Sequence, residues 1–242
     1  MAELLISIKD LTKNYQTRGG IVHALNGISL DIYKGESVAV MGQSGSGKST
    51  LLSIIGGLNH PSGGSIEIDG VDIYSLSQEK RADFRLKKIG FVFQQFHLIP
   101  YLTALENVML PLASSKGSVR QKKELARHVL ERVGITREIN RLPSEISGGE
   151  QERVAIARAL INEPPVILAD EPTGSLDTKT GTEIMELFET LNRQGQTILM
   201  VTHNPLNTSY MGRTIIMKDG NLSTMEADLL NYLPASGVGV AL

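Results

Sequence analysis

The chain has 242 residues, 41% hydrophobic and 21% charged, with 24 basic against 26 acidic side chains. That is room and apolar content for one large α/β domain. A formal charge of −2 lacks the clustered basic surface that a nucleic-acid partner demands, and the absence of cysteine leaves no disulfide frame and no thiolate metal site.

No stretch reaches the roughly eighteen apolar residues of a spanning helix. The opening Met-Ala-Glu-Leu-Leu-Ile-Ser puts an acid where a signal peptide carries positive charge. The expectation is a soluble cytoplasmic chain that meets a membrane only through another polypeptide.

Three strand-like runs open the sequence, Leu4 to Ile8, Ile28 to Ile32 and Ser37 to Met41, the third nearly all apolar and running into glycine. Leu51 to Leu58 reads as a buried helix, Gly63-Gly64 as a turn, and Ser65 to Ile68 before Asp69-Gly70 as half a hairpin. From Ser77 to Ile161 the texture is helical, most clearly over Gln121 to Val133, where Leu125, Val129 and Val133 recur at fourfold spacing. Strand-like runs return at Val166 to Ala169, Thr197 to Val201, and Thr214 to Met217 before Asp219-Gly220. The end, from Pro234, is small, apolar and expected to fray.

Gly42-Gln43-Ser44-Gly45-Ser46-Gly47-Lys48-Ser49, followed by Thr50, fits G-x-x-x-x-G-K-[ST] between a strand and a helix. Glycines let the backbone curl until successive N–H groups point at phosphate oxygens, and the new helix adds its positive end. Lys48 suits the β- and γ-phosphates of ATP, and the Ser49 hydroxyl suits Mg²⁺. Val166-Ile-Leu-Ala-Asp170-Glu171 ends an apolar strand in two acids. At the carboxyl end of a parallel strand, Asp170 is placed to hold Mg²⁺ through water and Glu171 to align or deprotonate an attacking water.

Ile146-Ser147-Gly148-Gly149-Glu150, leading into Gln151-Glu-Arg-Val-Ala-Ile-Ala-Arg-Ala-Leu160, resembles the signature of ABC ATPases, usually written LSGGQ. Physically it is a second anion trap, a capped helix start with glycine backbone. Other features of that family follow in family order. The resemblance implies that Tyr15 stacks on adenine, that Gln94 senses Mg²⁺ and the γ-phosphate, and that the loop of Asp177 crosses to a partner subunit. It also makes His203 the switch histidine. Two positions depart from the usual signature: isoleucine at 146, nearly volume-neutral, and glutamate at 150, whose carboxylate is expected to lie on the rim and alter turnover modestly.

The run from Ile89 to Leu112, with Ser53 to Leu58, is similar to the MacB- and LolD-type branch, whose ATPases serve a separate membrane permease. Related FtsE-type proteins regulate a membrane complex without moving a substrate, and importer ATPases share part of the same run; both readings stay open. The resemblance implies a P-loop NTPase (RecA-like) α/β core with a small antiparallel β-subdomain and an inserted helical subdomain. It places one ATPase domain over 1–225, the insert near 95–160, and a short extension at 226–242. It also implies a head-to-tail homodimer in the ATP-bound state, with nucleotide between Lys48 of one copy and Ser147 of the other, peripheral on the inner face of the membrane. DNA-repair and translation relatives would bring a long coiled coil or a second cassette, and the sequence has neither.

Overall fold

A computed structural model describes residues 2–223. The extension expected at 226–242, with its fraying tail from Pro234, lies outside the described residues.

β1 (Leu4–Thr17) and β2 (Gly20–Tyr33) form one long antiparallel hairpin, of which the sequence announced only the inner apolar ends. Alternation is lost along β1 because its register shifts between Ile8 and Leu11, where Asp10 turns to φ 46°. Such a bulge moves the side chains beyond it to a new phase. β3 (Ser37–Met41) follows, then α1 (Lys48–Ile55), which starts before the expected Leu51 and stops at Gly56 rather than running to Leu58. β4 (Gly63–Ile68) and β5 (Val71–Asp72) make the expected hairpin. Gly63 and Gly64, however, are strand residues and not a turn. A Cβ on Gly64 would stand 2.5 Å from the Asp10 carbonyl oxygen, so glycine there permits a close backbone approach at the bulge.

α2 (Gln78–Lys88) begins the charged region, but β6 (Ile89–Val92) interrupts it as a strand of the main sheet. Four residues give too short a run to announce a strand inside helical texture. Next come α3 (Ala104–Met109), α4 (Val119–Arg132) and α5 (Gly148–Leu160), which pack on one another. Within α4 it is Ala126, Val129 and Leu130 that are buried, while Leu125 is exposed, contrary to its place in the fourfold series.

The described residues close with β7 (Val166–Asp170), α6 (Thr178–Arg193), β8 (Thr197–Thr202), α7 (Pro205–Thr208), β9 (Arg213–Lys218) and β10 (Asn221–Ser223). α6 lies outside the helices expected above, although Ile184, Met185, Phe188 and Leu191 recur at helical spacing and are buried.

Among the described residues two sheets result, a four-stranded antiparallel one ordered β2-β1-β4-β5 and a six-stranded one ordered β10-β9-β3-β8-β7-β6. The larger sheet separates two apolar cores. Val166 and Leu168 of β7, with Leu199 and Val201 of β8, join the core shared with α1 and the antiparallel sheet. Ile167, Ala169, Ile198 and Met200 join the core under α3 to α6. Burial on both faces is why these strands read as unbroken apolar runs.

Candidate active site

The parallel strands β3, β8, β7 and β6 lie side by side, and each delivers a chemically useful residue just past its carboxyl end. β3 leads into the glycine loop and Lys48, β8 into His203, β7 into Asp170 and Glu171, and β6 into Gln94. Side chains far apart in sequence therefore meet along one sheet edge, the place where open α/β sheets bind ligands.

The loop is shaped by what crowds it. A Cβ on Gly42 would stand 2.2 Å from the Met217 carbonyl oxygen, and one on Gly47, at φ 106°, 2.5 Å from that of Ala24. Only glycine lets the chain pass there. Lys48 is buried, and its ammonium donates to the Gly42 and Gln43 carbonyls at 2.8 and 3.0 Å. Burial pushes its pKa down, opposed by the nearby charges of Glu171 and Asp170. Ser46 Oγ is buried with no hydrogen-bond partner among the described residues. An orphaned hydroxyl inside a curled glycine loop is the mark of a place built for a ligand that brings its own oxygens.

A pocket of about 370 Å³ opens here, lined by Ser44, Gly45, Gly47, Lys48, Ser49 and Thr50 together with Gln94, Glu171 and His203. Ser49 Oγ donates to Asp170 Oδ1 at 3.1 Å. Burial pushes the Asp170 carboxyl above its ordinary value, against the Ser49 hydrogen bond that lowers it. Glu171 is 8% exposed and held in the left-handed region at φ 49°, with its N–H on the Val201 carbonyl at 3.0 Å. Such a backbone is tolerated where its surroundings impose it, and functional sites are where it gathers.

The donor set fits a small hard cation. A hydroxyl, a carboxylate and the Gln94 amide are oxygen ligands, and Mg²⁺ is ordinarily held by one or two carboxylates plus phosphate and water.

Other residues of the expected set are not in the pocket lining. Tyr15 stands beside the lining rather than in it: it pairs across the β1–β2 ladder with Val22, its hydroxyl accepts from Asn59 Nδ2 at 2.7 Å, and the Lys13 ammonium sits 4.9 Å from its ring centre. The wall is supplied instead by Val22, His23 and Ala24 of β2, which no sequence motif marked. Only the contact of Ala24 with Gly47, across the fold, could have pointed to them. Ser147, Gly148 and Gly149 are also outside the pocket. A Cβ on Gly148 or Gly149 would meet Leu176 or Thr180, so the start of α5 packs against the loop that follows β7 and the first turn of α6. Asp177 caps α6, accepting from Thr180 N at 3.1 Å. Glu150 turns back on its own helix: Oε2 accepts from Ser147 N at 2.7 Å and Ser147 Oγ at 2.8 Å, which closes a capping box and lowers the Glu150 pKa.

Residues 25–174 match the family model described as ABC transporter. The lipoprotein-releasing system ATP-binding protein LolD of Geobacter metallireducens is 47% identical over 90% of this chain and 97% of its own. The macrolide export ATP-binding/permease protein MacB of Chlorobium phaeobacteroides is 49% identical over 89% of this chain, which spans only 33% of that protein. A solved structure of the ATP-binding cassette MJ0796, dimeric and bound to ADP and Pi in a post-hydrolysis state, superposes with a TM-score of 0.83. It is 44% identical and covers 92% of this chain and 100% of its own.

Proposed function

The chain belongs to the ABC transporter family, and from that premise we propose that it binds Mg-ATP at the Lys48 pocket, hydrolyses it, and thereby drives a separate membrane permease. The observation that carries this reading is the convergence of Lys48, the Ser49–Asp170 pair, the Glu171–His203 pair and Gln94 on one pocket.

The loop N–H groups and Lys48 take the β- and γ-phosphates, Lys48 giving up its bonds to the Gly42 and Gln43 carbonyls. Ser49, Asp170 and Gln94 hold the Mg²⁺, which when bound neutralises phosphate charge. Glu171 takes the proton of the attacking water, while His203, in contact with that carboxylate, donates toward the γ-phosphate. Val22 and His23 flank the base and ribose end, with Tyr15 close behind β2. The site is incomplete in one copy, because the α5 start opens elsewhere. Ser147, Gly148 and Gly149 of a second copy, with its Asp177 loop, close over the nucleotide.

The described residues contain no helix long and apolar enough to cross a membrane. The chain sits on the inner face of the membrane through its permease. The docking surface is the segment after Gln94 and the neighbouring groove of about 400 Å³, walled by Leu58, Leu86, Phe91, Phe93 and Pro111. The likeness to LolD and MacB favours export or lipoprotein release over import. The test is direct. Purified protein should release phosphate from Mg-ATP, and the Glu171→Gln protein should elute as a dimer with ATP and as a monomer without it. A wild-type protein that neither binds nor hydrolyses Mg-ATP would sink the reading.

A further inference from the structure

The far end of α1 is tied across the fold to the aromatic ring beside the pocket. α1 begins with Lys48 and stops at Gly56. Beyond it the chain is pinned by Leu58 N and Asn59 N, which both donate to the Ser53 carbonyl, at 2.9 and 3.2 Å. The Asn59 carbonyl in turn accepts from the Tyr74 hydroxyl at 2.6 Å. The backbone of Asn59 is thus fixed to the helix whose other end carries the phosphate-loop lysine.

Its side-chain amide is engaged at both ends. Nδ2 donates to the Tyr15 hydroxyl at 2.7 Å, and Oδ1 accepts from the Lys13 ammonium at 3.0 Å. That ammonium also donates to the His60 carbonyl at 2.6 Å and sits over the Tyr15 ring, 4.9 Å from its centre. The three side chains lock one another: the amide grips the tip of the ring and the cation, and the cation sits over the ring.

Tyr15 faces Val22 in the β1–β2 ladder, and Val22 lines the nucleotide pocket. Directly opposed residues of an antiparallel pair project from the same face of the sheet. The ring therefore stands beside the pocket wall, and it is only half-buried, so part of it stays open to a ligand. A half-buried tyrosine ordinarily keeps some side-chain freedom, which a bound ligand must then remove. Stacking asks for an aromatic face already held in place, and makes no demand on the edge of the base.

We propose that Asn59 is a positioning residue for the nucleobase. It holds the Tyr15 ring at a fixed place relative to Lys48, so that the base stacks on the ring while the phosphates lie in the loop. Asn59 acts on the nucleotide through the ring, and its effect falls on the base end rather than on phosphate or hydrolysis. This inference rests on the proposed ATPase reading.

The test uses the full chain with Glu171→Gln as parent and two probes, Mg-ATP by calorimetry and Mg-tripolyphosphate by displacement of Mg-ATP. Asn59→Ala should weaken Mg-ATP roughly three- to tenfold, part of what one stacked base contributes, and leave tripolyphosphate within about twofold. With Glu171 restored, the KM for ATP should rise by a similar factor while kcat stays within about twofold. Tyr15→Phe keeps the ring and removes the hydroxyl. It should show the same loss, and the double variant no more than the worse single one. Asn59→Asp accepts from both Lys13 and the Tyr15 hydroxyl, and should stay within about twofold of the parent. A loss of tripolyphosphate equal to the loss of ATP would make Asn59 part of the α1 scaffold and overturn the proposal. Unchanged ATP affinity in Asn59→Ala or in Tyr15→Phe overturns it too, as do losses that add in the double variant. So does an Asn59→Asp protein as impaired as Asn59→Ala. If Asn59→Ala does not fold, the other two decide. A loss for ATP alone in Tyr15→Phe, with normal affinity in Asn59→Asp, supports the tether, and any other pairing overturns it. A parent that does not bind Mg-ATP sinks the ATPase reading and this inference with it, whereas a binding parent with indifferent variants sinks the inference alone.

Discussion

His203 Nδ1 lies 2.8 Å from Glu171 Oε1, and the two residues reach each other from the ends of the adjacent strands β8 and β7. In the proposed reaction this carboxylate and imidazole serve one water and one phosphate as a unit. Their effects on rate therefore should not add. Glu171→Gln is expected to retain Mg-ATP and lose roughly two to four powers of ten in hydrolysis. His203→Ala should lose a comparable amount, and the double variant little more than the worse single one. Single-turnover phosphate release measures all three; near-normal hydrolysis by Glu171→Gln would remove Glu171 from the role.

Lys48 is the cation that the loop itself provides, and its ammonium donates to the Gly42 and Gln43 carbonyls. Lys48→Ala, made in the Glu171→Gln background, should abolish ATP-dependent dimerisation while leaving the nucleotide-free protein folded. Gel filtration with and without ATP reads this. A double variant that still dimerised with ATP would argue against nucleotide held between Lys48 and a second copy.

Asp170 gives a stability prediction whose sign follows from its environment. Burial raises its folded pKa above the ordinary carboxylate value. The folded protein thus holds this proton to higher pH than the unfolded chain does. Its contribution to stability is full below the ordinary carboxylate range, falls as pH climbs to the raised value, and stays low above it. Asp170→Asn, which keeps an acceptor for Ser49, should therefore raise the nucleotide-free Tm at pH 7 by about 2 °C or more. It should match wild type at the acid end of the folded range, and it should lose the thermal shift that Mg-ATP gives wild type. A Tm at pH 7 below that of wild type would show that Asp170 stabilises the empty site.

Glu150 departs from the usual glutamine, and its carboxylate closes the capping box with Ser147. Glutamine closes the same box. Glu150→Gln should change turnover by less than about threefold and leave stability nearly unaltered, whereas Glu150→Ala should cost about 0.3–1.5 kcal/mol in denaturant unfolding. If Glu150→Gln raised turnover tenfold, the carboxylate would be acting on nucleotide and not on its own helix.

Much of this site was legible because its chemistry dictates spacing. A curled phosphate loop needs glycines at fixed intervals before a helix, and a strand buried on both faces must be apolar until it ends in Asp170. The long hairpin was not legible, because the bulge at Asp10 shifts the phase of β1. β6 is only four residues long and follows the charged α2, so its pairing with β7 decides what its composition cannot. Gly63-Gly64 carries a turn's composition, yet it serves a close approach to the Asp10 backbone. Val22 and His23 reach the pocket only because Ala24 lies against Gly47, a long-range contact with no local signal. Tyr15, expected at the adenine on family order, stands opposite Val22 in the β1–β2 ladder, and its hydroxyl accepts from Asn59.

The last expectation concerns the partner. After Gln94 the chain runs through Phe96, Leu98, Ile99, Pro100, Tyr101 and Leu102, a segment richly apolar for a loop. Part of it is core: Leu98 packs on the apolar cluster beneath α3 to α6. The backbone is fixed rather than loose, since buried Asn107 accepts from Ile99 N at 2.7 Å and donates to the Ile99 and Leu102 carbonyls at 3.1 and 2.9 Å. Upon that rigid base Tyr101 is 77% exposed, and Leu58 stands exposed in the neighbouring groove. An exposed aromatic on a fixed loop beside an apolar groove suits a short amphipathic helix of a permease. Tyr101→Glu should leave folding and soluble ATPase activity within about twofold of wild type, as surface substitutions usually do. It should abolish co-purification with the permease from solubilised membranes and any stimulation by it. Leu102→Glu makes the contrast, because Leu102 is half-buried and a charge there should cost stability as well. Normal co-purification of the Tyr101→Glu protein would move the docking site away from this segment.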